Sequence, residues 1–463
     1  MSKFNNPNAV PGAPPPLTRI QAMAEPAQYL VAPLAAEAAV PIPEEHYGAV
    51  QRAGFAVLCI YILSGYANDF SLRLFHNKAY LSIVAELLLP VLLLFSGAIF
   101  RALRVRAGKL WLFFFIWMMI DMPFSVWRTG SASLLMNYGL RSWVQLFYLG
   151  AFAVTVTSLR RLMNVQVAGS LLLLLSCVVF GSAGEDRFDI VQSLFYSNAN
   201  ELAMYLLFGM AVLMFPIMRG SLPARVAALA AVALSMVYVL KTGSRGGLLG
   251  AMALFATLFI LSRRRVLVFL LVALGGLLAT LFVSPQALHR LTLTFTGTSI
   301  YEAQSGEDES AIESRLQRRE LLIRSIALSF QHPLFGVGPG QFPVAVDEQA
   351  KKEGKHSAWL GTHNSYTEVS SECGFPAFFC YTAVLWFCIR SSYKLFRATQ
   401  DRLEWRDINA LSFCLLLSGV VYAVCTFFDH VAYTGLLPFM AGFCISLKLA
   451  TDGSLAAKQS ASR

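Results

Sequence analysis

The segment that decides the fold is residues 361–390, GTHNSYTEVSSECGFPAFFCYTAVLWFCIR, in which a polar stretch runs directly into a long apolar one. The apolar part, near 374–393, is long enough to cross a bilayer as a helix. His363, Glu368 and Glu372 stand at its start, and polar groups at the edge of hydrocarbon are costly unless they are used or solvated. The segment therefore predicts a membrane-spanning helix with a functional polar entrance.

Apolar runs of similar length recur along the whole chain. Of its 463 residues, 56% are hydrophobic and 14% are charged, whereas a soluble domain carries about a quarter charged residues. We therefore expect an all-α polytopic integral membrane protein with about twelve transmembrane helices. The predicted helices lie near residues 53–70, 79–100, 110–127, 140–158, 165–183, 199–218, 223–240, 246–262, 266–284, 374–393, 408–427 and 430–449.

The net charge of +10 is distributed as topology signals and not as a nucleic-acid-binding surface, so nucleic acid is excluded as a partner. Basic residues cluster in alternate loops, as in RALRVRAGK at 101–109 and RRR at 263–265. The acidic GEDRFD at 184–189 falls in a loop of the opposite phase. Because cytoplasmic loops are enriched in Lys and Arg, both termini are predicted to be cytoplasmic and the loop at 285–373 to lie outside.

This topology divides the chain into five predicted segments. They are a disordered Pro/Ala-rich cytoplasmic tail at 1–50, transmembrane helices 1–9 at 51–284, a periplasmic loop domain at 285–373, transmembrane helices 10–12 at 374–450 and a cytoplasmic tail at 451–463. The eight cysteines contain no C-x-x-C pair, so they predict neither a metal site nor a disulfide framework. No cofactor is expected.

Two arginine sites are predicted on the outer side. In KTGSRGGLLG, residues 241–250, Lys241 and Arg245 stand where the charge rule disfavours them, beside a glycine-rich helix start that can bind an anion. The alternative is a tight turn whose arginine only extends to the interface. Arg315 shares a helix face with Arg318 or Arg319, and such like charges repel unless an anion bridges them. The alternative is pairing with Glu313 and Glu320.

His363 is the candidate for proton transfer. An imidazole titrates near neutrality and can accept the proton of a hydroxyl group. Glu368 and Glu372 follow it, one helical turn apart. The alternative is a solvated loop histidine without a chemical role.

These residues carry a resemblance to a known family. The ordered set consists of YSNANELAMYL at 196–206, SRGG at 244–247, an arginine-led helix, HPLFGVGPGQF at 332–342, HNSY at 363–366 and ECG at 372–374. Together they resemble the O-antigen ligase and Wzy-type O-antigen or exopolysaccharide polymerase superfamily over about residues 200–390. One departure is Leu322, since the family often has a Trp four residues after its loop arginine.

The resemblance implies a metal-independent glycosyltransferase of the bacterial inner membrane with a GT-C-type fold. Its donor is a glycan linked to undecaprenyl diphosphate, and its acceptor is a sugar hydroxyl of a glycan or lipid-linked molecule at the periplasmic face. The implied roles are His363 as general base, Arg245, Arg318 and Arg315 as diphosphate contacts, and Lys241, Asn200, Asn364, Tyr366 and Glu372 as supporting residues. Membrane lipids surround the chain, and a flippase and a chain-length regulator are the expected protein partners.

Three functions remain open at this stage. A polymerase is favoured over a lipid A core or protein glycan ligase because the loop shows no further basic belt beyond the arginine cluster. A transporter or flippase is the alternative of another class. Asp121, Glu86 and Glu201, in or near predicted helices, would be its proton or substrate sites.

Overall fold

The computed structural model describes residues 48–75, 81–183, 187–190, 193, 196–281, 306–352, 354, 357 and 359–461. These residues are mainly helical, with two short strands, Ser182–Ala183 and Phe188–Asp189, that pair antiparallel. The predicted tail at 1–50 lies outside the described residues except for 48–50, where the first helix begins at Ala49, and the first part of the predicted loop at 285–373 also lies outside them.

The described helices, in chain order, are α1 (Ala49–Tyr66), α2 (Asn68–Phe75), α3 (Leu81–Ser96), α4 (Ile99–Ala102), α5 (Arg106–Asp121), α6 (Arg128–Tyr138), α7 (Gln145–Phe152), α8 (Val156–Phe180), α9 (Ala199–Arg219), α10 (Leu222–Lys241), α11 (Arg245–Leu261), α12 (Arg265–Thr280), α13 (Gly306–Gln331), α14 (Phe342–Lys352), α15 (Ser365–Thr399), α16 (Arg406–Cys425) and α17 (Leu436–Ala461). Two 3₁₀ turns, Met122–Phe124 and Leu403–Trp405, and one π turn, Gly139–Trp143, complete them.

Seven helical segments among the described residues are long and apolar enough to cross a membrane. They are Ala49–Tyr66, Arg106–Phe124, Val156–Phe180, Ala199–Arg219, Leu222–Lys241, Ser365–Thr399 and Leu403–Cys425, and two shorter apolar segments, Ser82–Ser96 and Arg245–Leu261, accompany them. The protein is therefore a multi-pass helical membrane protein, and the finer prediction of about twelve spans stays a prediction.

Helices α9 and α16 form the centre of the helical bundle. They pack against each other and both contact α8 and α11, while α15 packs on α16 and α5. Most residues of α9 and α16 are buried. The peripheral helices instead turn large apolar side chains outward, as at Leu94 and Phe95 of α3. This outward apolar face is the one that a lipid environment favours.

The predicted helix at 140–158 is interrupted in the structure. The π turn ends at Trp143, α7 ends at Phe152, and a new helix begins after Thr155. The hydroxyl of Thr155 accepts a hydrogen bond from the backbone N–H of Ser158 at 3.1 Å, which starts α8 with its own N-cap. The Arg101 guanidinium donates to the carbonyl oxygens of Gly150 and Val154 at the break. These local polar groups explain why an apolar pattern did not become one helix.

Helix α15 begins at Ser365, before the start that its apolar run predicts, and is kinked at Gly374. Gly374 has a φ of 75°, and a Cβ atom there would lie 2.0 Å from the carbonyl oxygen of Leu334. The space at the kink is filled by the loop 333–340, whose Gly338 N–H donates to the carbonyl of Glu372 at 2.8 Å. The glycine therefore lets the extramembrane segment dock directly on the helix backbone.

The described part of the predicted extramembrane loop has a small core of its own. Leu321 and Leu328 of α13 pack with Val337, Phe342 and Val346 around α14. Helix α13 also packs against α15. This arrangement holds the arginine-bearing end of α13 over the bundle.

Candidate active site

A cavity of about 310 Å³ lies where the start of α11, helix α13 and the turns at 362–364 and 427–428 meet. This volume is at the lower end of the range for small-molecule sites, about 300–1,000 Å³. Its lining residues are Arg187, Asn200, Gly243, Arg245, Leu249, Arg315, Arg318, Arg319, Leu322, Thr362, His363, Asn364, Phe427 and Phe428. The residues predicted for diphosphate contact and for proton transfer are thus brought together from distant parts of the chain.

Arg245 is the first residue of α11, and the local sequence explains its position. The Ser244 hydroxyl accepts a hydrogen bond from Gly247 N–H at 3.1 Å and caps the helix. A Cβ atom on Gly247 would lie 2.7 Å from the Cβ of Ala203, and one on Gly246 would lie 2.7 Å from Phe428. The two glycines therefore let α11 approach its neighbours closely, so that Arg245 stands at a helix N-terminus beside the cavity.

Arg315, Arg318 and Arg319 all line the cavity from α13. Glu320, one of the two alternative partners, accepts hydrogen bonds from Arg324 at 2.6 Å and 3.1 Å. The side chain of Glu313 lies outside the described residues. Leu322, where the family often has Trp, also lines the cavity. Helix α13 thus presents a basic face with an apolar neighbour.

Arg187 is a basic cavity residue that the sequence did not single out. Its Nε donates to the carbonyl oxygen of Thr242 at 2.8 Å and its Nη2 donates to Oδ1 of Asn200 at 2.7 Å. The sequence does not indicate this role, because Arg187 stands in the acidic segment 184–189, whose charges predict only the side of the membrane. The contact explains the place of the predicted supporting residue Asn200, which orients this guanidinium.

His363 sits in a strained turn directly before α15. Its φ is 50°, a conformation that few residues other than glycine adopt. The following Asn364 caps α15, because its Oδ1 accepts hydrogen bonds from Tyr366 N–H and Thr367 N–H, both at 3.0 Å. The Asn364 amide also donates to the carbonyl of Phe427 at 3.2 Å. The cap and the turn together aim the imidazole at the cavity.

The His363 imidazole is neutral at pH 7. Burial, the neighbouring His430 ring and the Arg318 guanidinium lower its pKa to about 4. A neutral imidazole carries one nitrogen lone pair that can accept a proton. This state is the one that a general base needs before it reacts.

Three predicted supporting residues do not line the cavity. The Glu372 carboxylate accepts hydrogen bonds from Gly340 N–H, Phe342 N–H and the Tyr433 hydroxyl. The Tyr366 hydroxyl donates to the carbonyl of Ala423 at 2.8 Å. The Lys241 ammonium lies 5.6 Å from the centre of the Tyr238 ring. Glu372 and Tyr366 therefore hold the scaffold around the site, and Lys241 stands apart from it.

Three acidic residues, Glu201, Glu86 and Asp121, are the candidate proton or substrate sites of a transporter, and all three lie away from the cavity. Glu201 caps the start of α9, where its carboxylate accepts hydrogen bonds from the backbone and the hydroxyl of Ser197. Glu86 pairs with Arg141 at 3.4 Å. Asp121 is buried, and neither of its carboxylate oxygens has a hydrogen-bond partner among the described residues. None of the three lines the cavity.

A second polar cluster adjoins His363. His363, Asp429 and His430 place one ligand-type atom each within 4.8 Å of one another, a spacing that could hold a metal ion. The sequence predicts no metal site here, because Asp429 lies between the predicted helices 408–427 and 430–449 and His430 is the first residue of the second. The structure ends α16 at Cys425 and begins α17 at Leu436, so both residues are in a turn.

Comparison with known proteins bears on the same part of the chain. Residues 229–382 match the family model described as O-antigen ligase. The matched segment contains the start of α11, the arginine face of α13, His363 and the kink of α15. No curated protein matches the chain. The match confirms, over residues 229–382, the resemblance that the motifs predicted.

Proposed function

We propose that the protein is a membrane glycosyltransferase that moves a glycan from an undecaprenyl-diphosphate donor to a sugar hydroxyl at the periplasmic face. The observation that carries the proposal is the cavity in which Arg245, Arg315 and Arg318 face the neutral imidazole of His363. The family match supports glycosyl transfer in general. The donor, the acceptor and the residue roles are those that the family resemblance implies, and the charge of the cavity supports them.

The basic wall fits a diphosphate. Arginine guanidinium groups make paired, charge-assisted hydrogen bonds to phosphate oxygens, and each is worth about 1.5–3 kcal/mol. Five arginines line the cavity, so it has a charge suited to a doubly anionic group. In this proposal Arg245 and Arg318 bind the diphosphate, Arg315 assists Arg318, and Arg187 is a further contact.

The proposed reaction breaks the bond between the donor sugar's anomeric carbon and the diphosphate oxygen. The bonding pair leaves with the diphosphate, where the arginines stabilise the growing charge. The acceptor hydroxyl oxygen forms the new bond to the anomeric carbon, and its proton passes to the lone-pair nitrogen of His363. The negative charge of the bound diphosphate offsets the guanidinium charges near His363, which makes the imidazole a stronger base when the donor is present. These residues supply the required charge without a metal ion.

We propose extension of a glycan chain, the polymerase reaction, over transfer to a lipid A core or a protein. The support is that two further basic loop residues are paired, since Arg324 binds Glu320 and Lys351 binds Asp347 at 2.7 Å. They are therefore less suited to an anionic lipid core. A flippase that delivers the donor and a chain-length regulator are the proposed partners in the bacterial inner membrane.

The test is transfer from a purified undecaprenyl-diphosphate glycan in proteoliposomes, with either a second donor molecule or a lipid A core as acceptor. Lengthened lipid-linked glycan supports the polymerase, and product only on the lipid A core supports the ligase alternative. We expect the activity to survive EDTA. If neither acceptor is modified and Arg318→Ala leaves donor binding unchanged, the proposed function is wrong.

A further inference from the structure

The turn after α16 brings Asp429 and His430 against His363. The two histidine rings are perpendicular, with centroids 4.9 Å apart. The Nδ1 of His430 lies 3.6 Å from Oδ1 of Asp429, which is too long for a hydrogen bond. The three side chains thus converge from two segments of the chain without a hydrogen bond from one side chain to another.

Three atoms of this cluster are buried and have no hydrogen-bond partner among the described residues. They are Nδ1 of His363, Nδ1 of His430 and Oδ2 of Asp429. Asp429 is 2% exposed. A buried carboxylate oxygen without a partner costs free energy, and three such atoms at one point indicate a missing polar ligand.

The backbone around the cluster is firmly held. The Ser365 hydroxyl donates to the carbonyl of Asp429 at 2.8 Å and accepts from Val431 N–H at 2.9 Å. The backbone N–H of His430 donates to the second oxygen of Asp429 at 3.0 Å. Ser365 thus ties the turn at 429–431 to the start of α15, directly beside His363.

The chemistry of the three side chains favours a transition-metal dication. Two imidazole nitrogens and one carboxylate oxygen form a zinc-type ligand set that leaves a fourth position open. Tetrahedral coordination at bond lengths of about 2.0–2.1 Å needs donor atoms roughly 3.3 Å apart, so small side-chain rotations would close the present spacing. The Asp429 carboxyl group lies close enough to the Glu201 carboxyl group and to Arg318 and Arg187 to interact with all of them, so negative charge opposes the repulsion that a cation would meet from the arginines.

We propose that His363, His430 and Asp429 form a binding site for a Zn²⁺-like ion, and that this ion inhibits the enzyme. The inhibitory part rests on the proposed function. A neutral imidazole has one lone pair, and a metal that takes it leaves only an N–H on the other nitrogen. His363 cannot hold the ion and accept the acceptor's proton at the same time.

Metal binding is tested without any activity assay. Purified protein in detergent is stripped with chelator and titrated with Zn²⁺ alone by calorimetry, and with Co²⁺ for the visible absorption of a tetrahedral site. We expect one ion per chain in the wild type and binding at least about 100-fold weaker in His430→Ala and Asp429→Asn, because each loses a direct ligand. His332→Ala, which removes an exposed histidine elsewhere in the loop, is the matched control. Equal Zn²⁺ binding by the wild type and His430→Ala, or no binding, overturns the site.

Inhibition is tested in the transfer assay as the ratio of rates with and without Zn²⁺. We expect Zn²⁺ to suppress wild-type turnover, EDTA to restore it, and the ratio to return towards one in His430→Ala. His430→Gln serves as a second variant, because glutamine is closer to histidine in size than alanine is and is less disruptive to folding. If Zn²⁺ binds without inhibiting transfer, the ion and the acceptor's proton do not compete for His363, and only the metal-binding part of the proposal stands. Full activity of His363→Ala instead contradicts the proposed general base, and the calorimetric result still decides whether the metal binds.

Discussion

The carboxylate of Glu372, inside α15, accepts a hydrogen bond from the backbone N–H of Gly340 at 2.8 Å. The same carboxylate accepts from Phe342 N–H at 3.1 Å and from the Tyr433 hydroxyl at 2.8 Å. One buried side chain therefore joins the start of α14 and the turn before α17 to the kinked helix. Helix α13, which lines the cavity, packs with α14 and against α15, so Glu372 supports the site without lining it.

Glu372→Ala is expected to destabilise the extramembrane segment. The substitution leaves two backbone N–H groups and one hydroxyl buried without their acceptor, at about 1–3 kcal/mol for each unpaired group. We expect a lower Tm in detergent and faster proteolysis within 306–352. The control is Glu348→Ala, which removes an exposed carboxylate on the same segment. Equal Tm values for the two variants would contradict the scaffold role.

Gly374→Ala and Gly276→Ala should have opposite effects on stability. A Cβ atom at Gly374 meets the Leu334 carbonyl at 2.0 Å and the φ of 75° is unfavourable, whereas a Cβ atom at Gly276 meets nothing within 4 Å. Ala in a helix interior is favoured over Gly by about 0.5–1 kcal/mol. We therefore expect Gly374→Ala to lower both Tm and transfer activity, and Gly276→Ala to raise Tm slightly and leave activity unchanged. A fully active Gly374→Ala would show that the loop does not need this docking geometry.

The motifs predicted much of the site because each carries its own local geometry. Ser244 caps α11 and Asn364 caps α15, so the sequence around Arg245 and His363 sets the backbone that presents them. Arg187 and His430 were not predictable in this way. Arg187 reaches the cavity through contacts with Thr242 and Asn200 that exist only after folding.

The fold was predictable where hydrophobicity alone decides it and less so where polar groups interrupt an apolar run. Hydropathy identified the long central helices, since their apolar residues continue without a break. It did not locate the break before α8, because the capping hydroxyl of Thr155 has little weight in a hydropathy average. It also left only residues 428 and 429 between two predicted helices, whereas residues 426–435, which include Asp429 and His430, are not helical.

Reporter fusions test the predicted orientation. A reporter fused after Arg106, Arg161 or Arg265 should read cytoplasmic, and one fused after Asp186 or Gly306 should read periplasmic, because the basic clusters flank the first three sites. The measurement is paired alkaline phosphatase and fluorescent-protein activity in cells. A cytoplasmic signal after Gly306 would remove the cavity from the periplasmic donor.

Arg245→Ala should weaken both donor binding and turnover. The loss of a charge-assisted contact of about 1.5–3 kcal/mol corresponds to about a tenfold to hundredfold effect. Arg245→Lys should retain only part of the donor affinity and turnover, because lysine keeps the charge but loses the paired geometry of the guanidinium group. Arg324→Ala is the matched control, since Arg324 pairs with Glu320 and does not line the cavity. Binding of the diphosphate donor and initial transfer rates are measured for all three variants. Full recovery by lysine would mean that charge alone suffices at this position.

His363→Ala should separate catalysis from binding. The substitution removes the proposed proton acceptor but no diphosphate contact, so turnover should fall by about 10²–10⁴-fold while donor affinity stays within a few-fold of the wild type. Donor affinity is measured by calorimetry and turnover by glycan transfer in proteoliposomes, with His332→Ala as the control for loss of a loop histidine. The strained φ of 50° at His363 makes a folding check necessary, and His363→Asn, which tolerates this conformation better, provides it. If His363→Asn folds, binds donor and turns over at the wild-type rate, another group must take the acceptor's proton, and the arginines alone would account for the chemistry of the cavity.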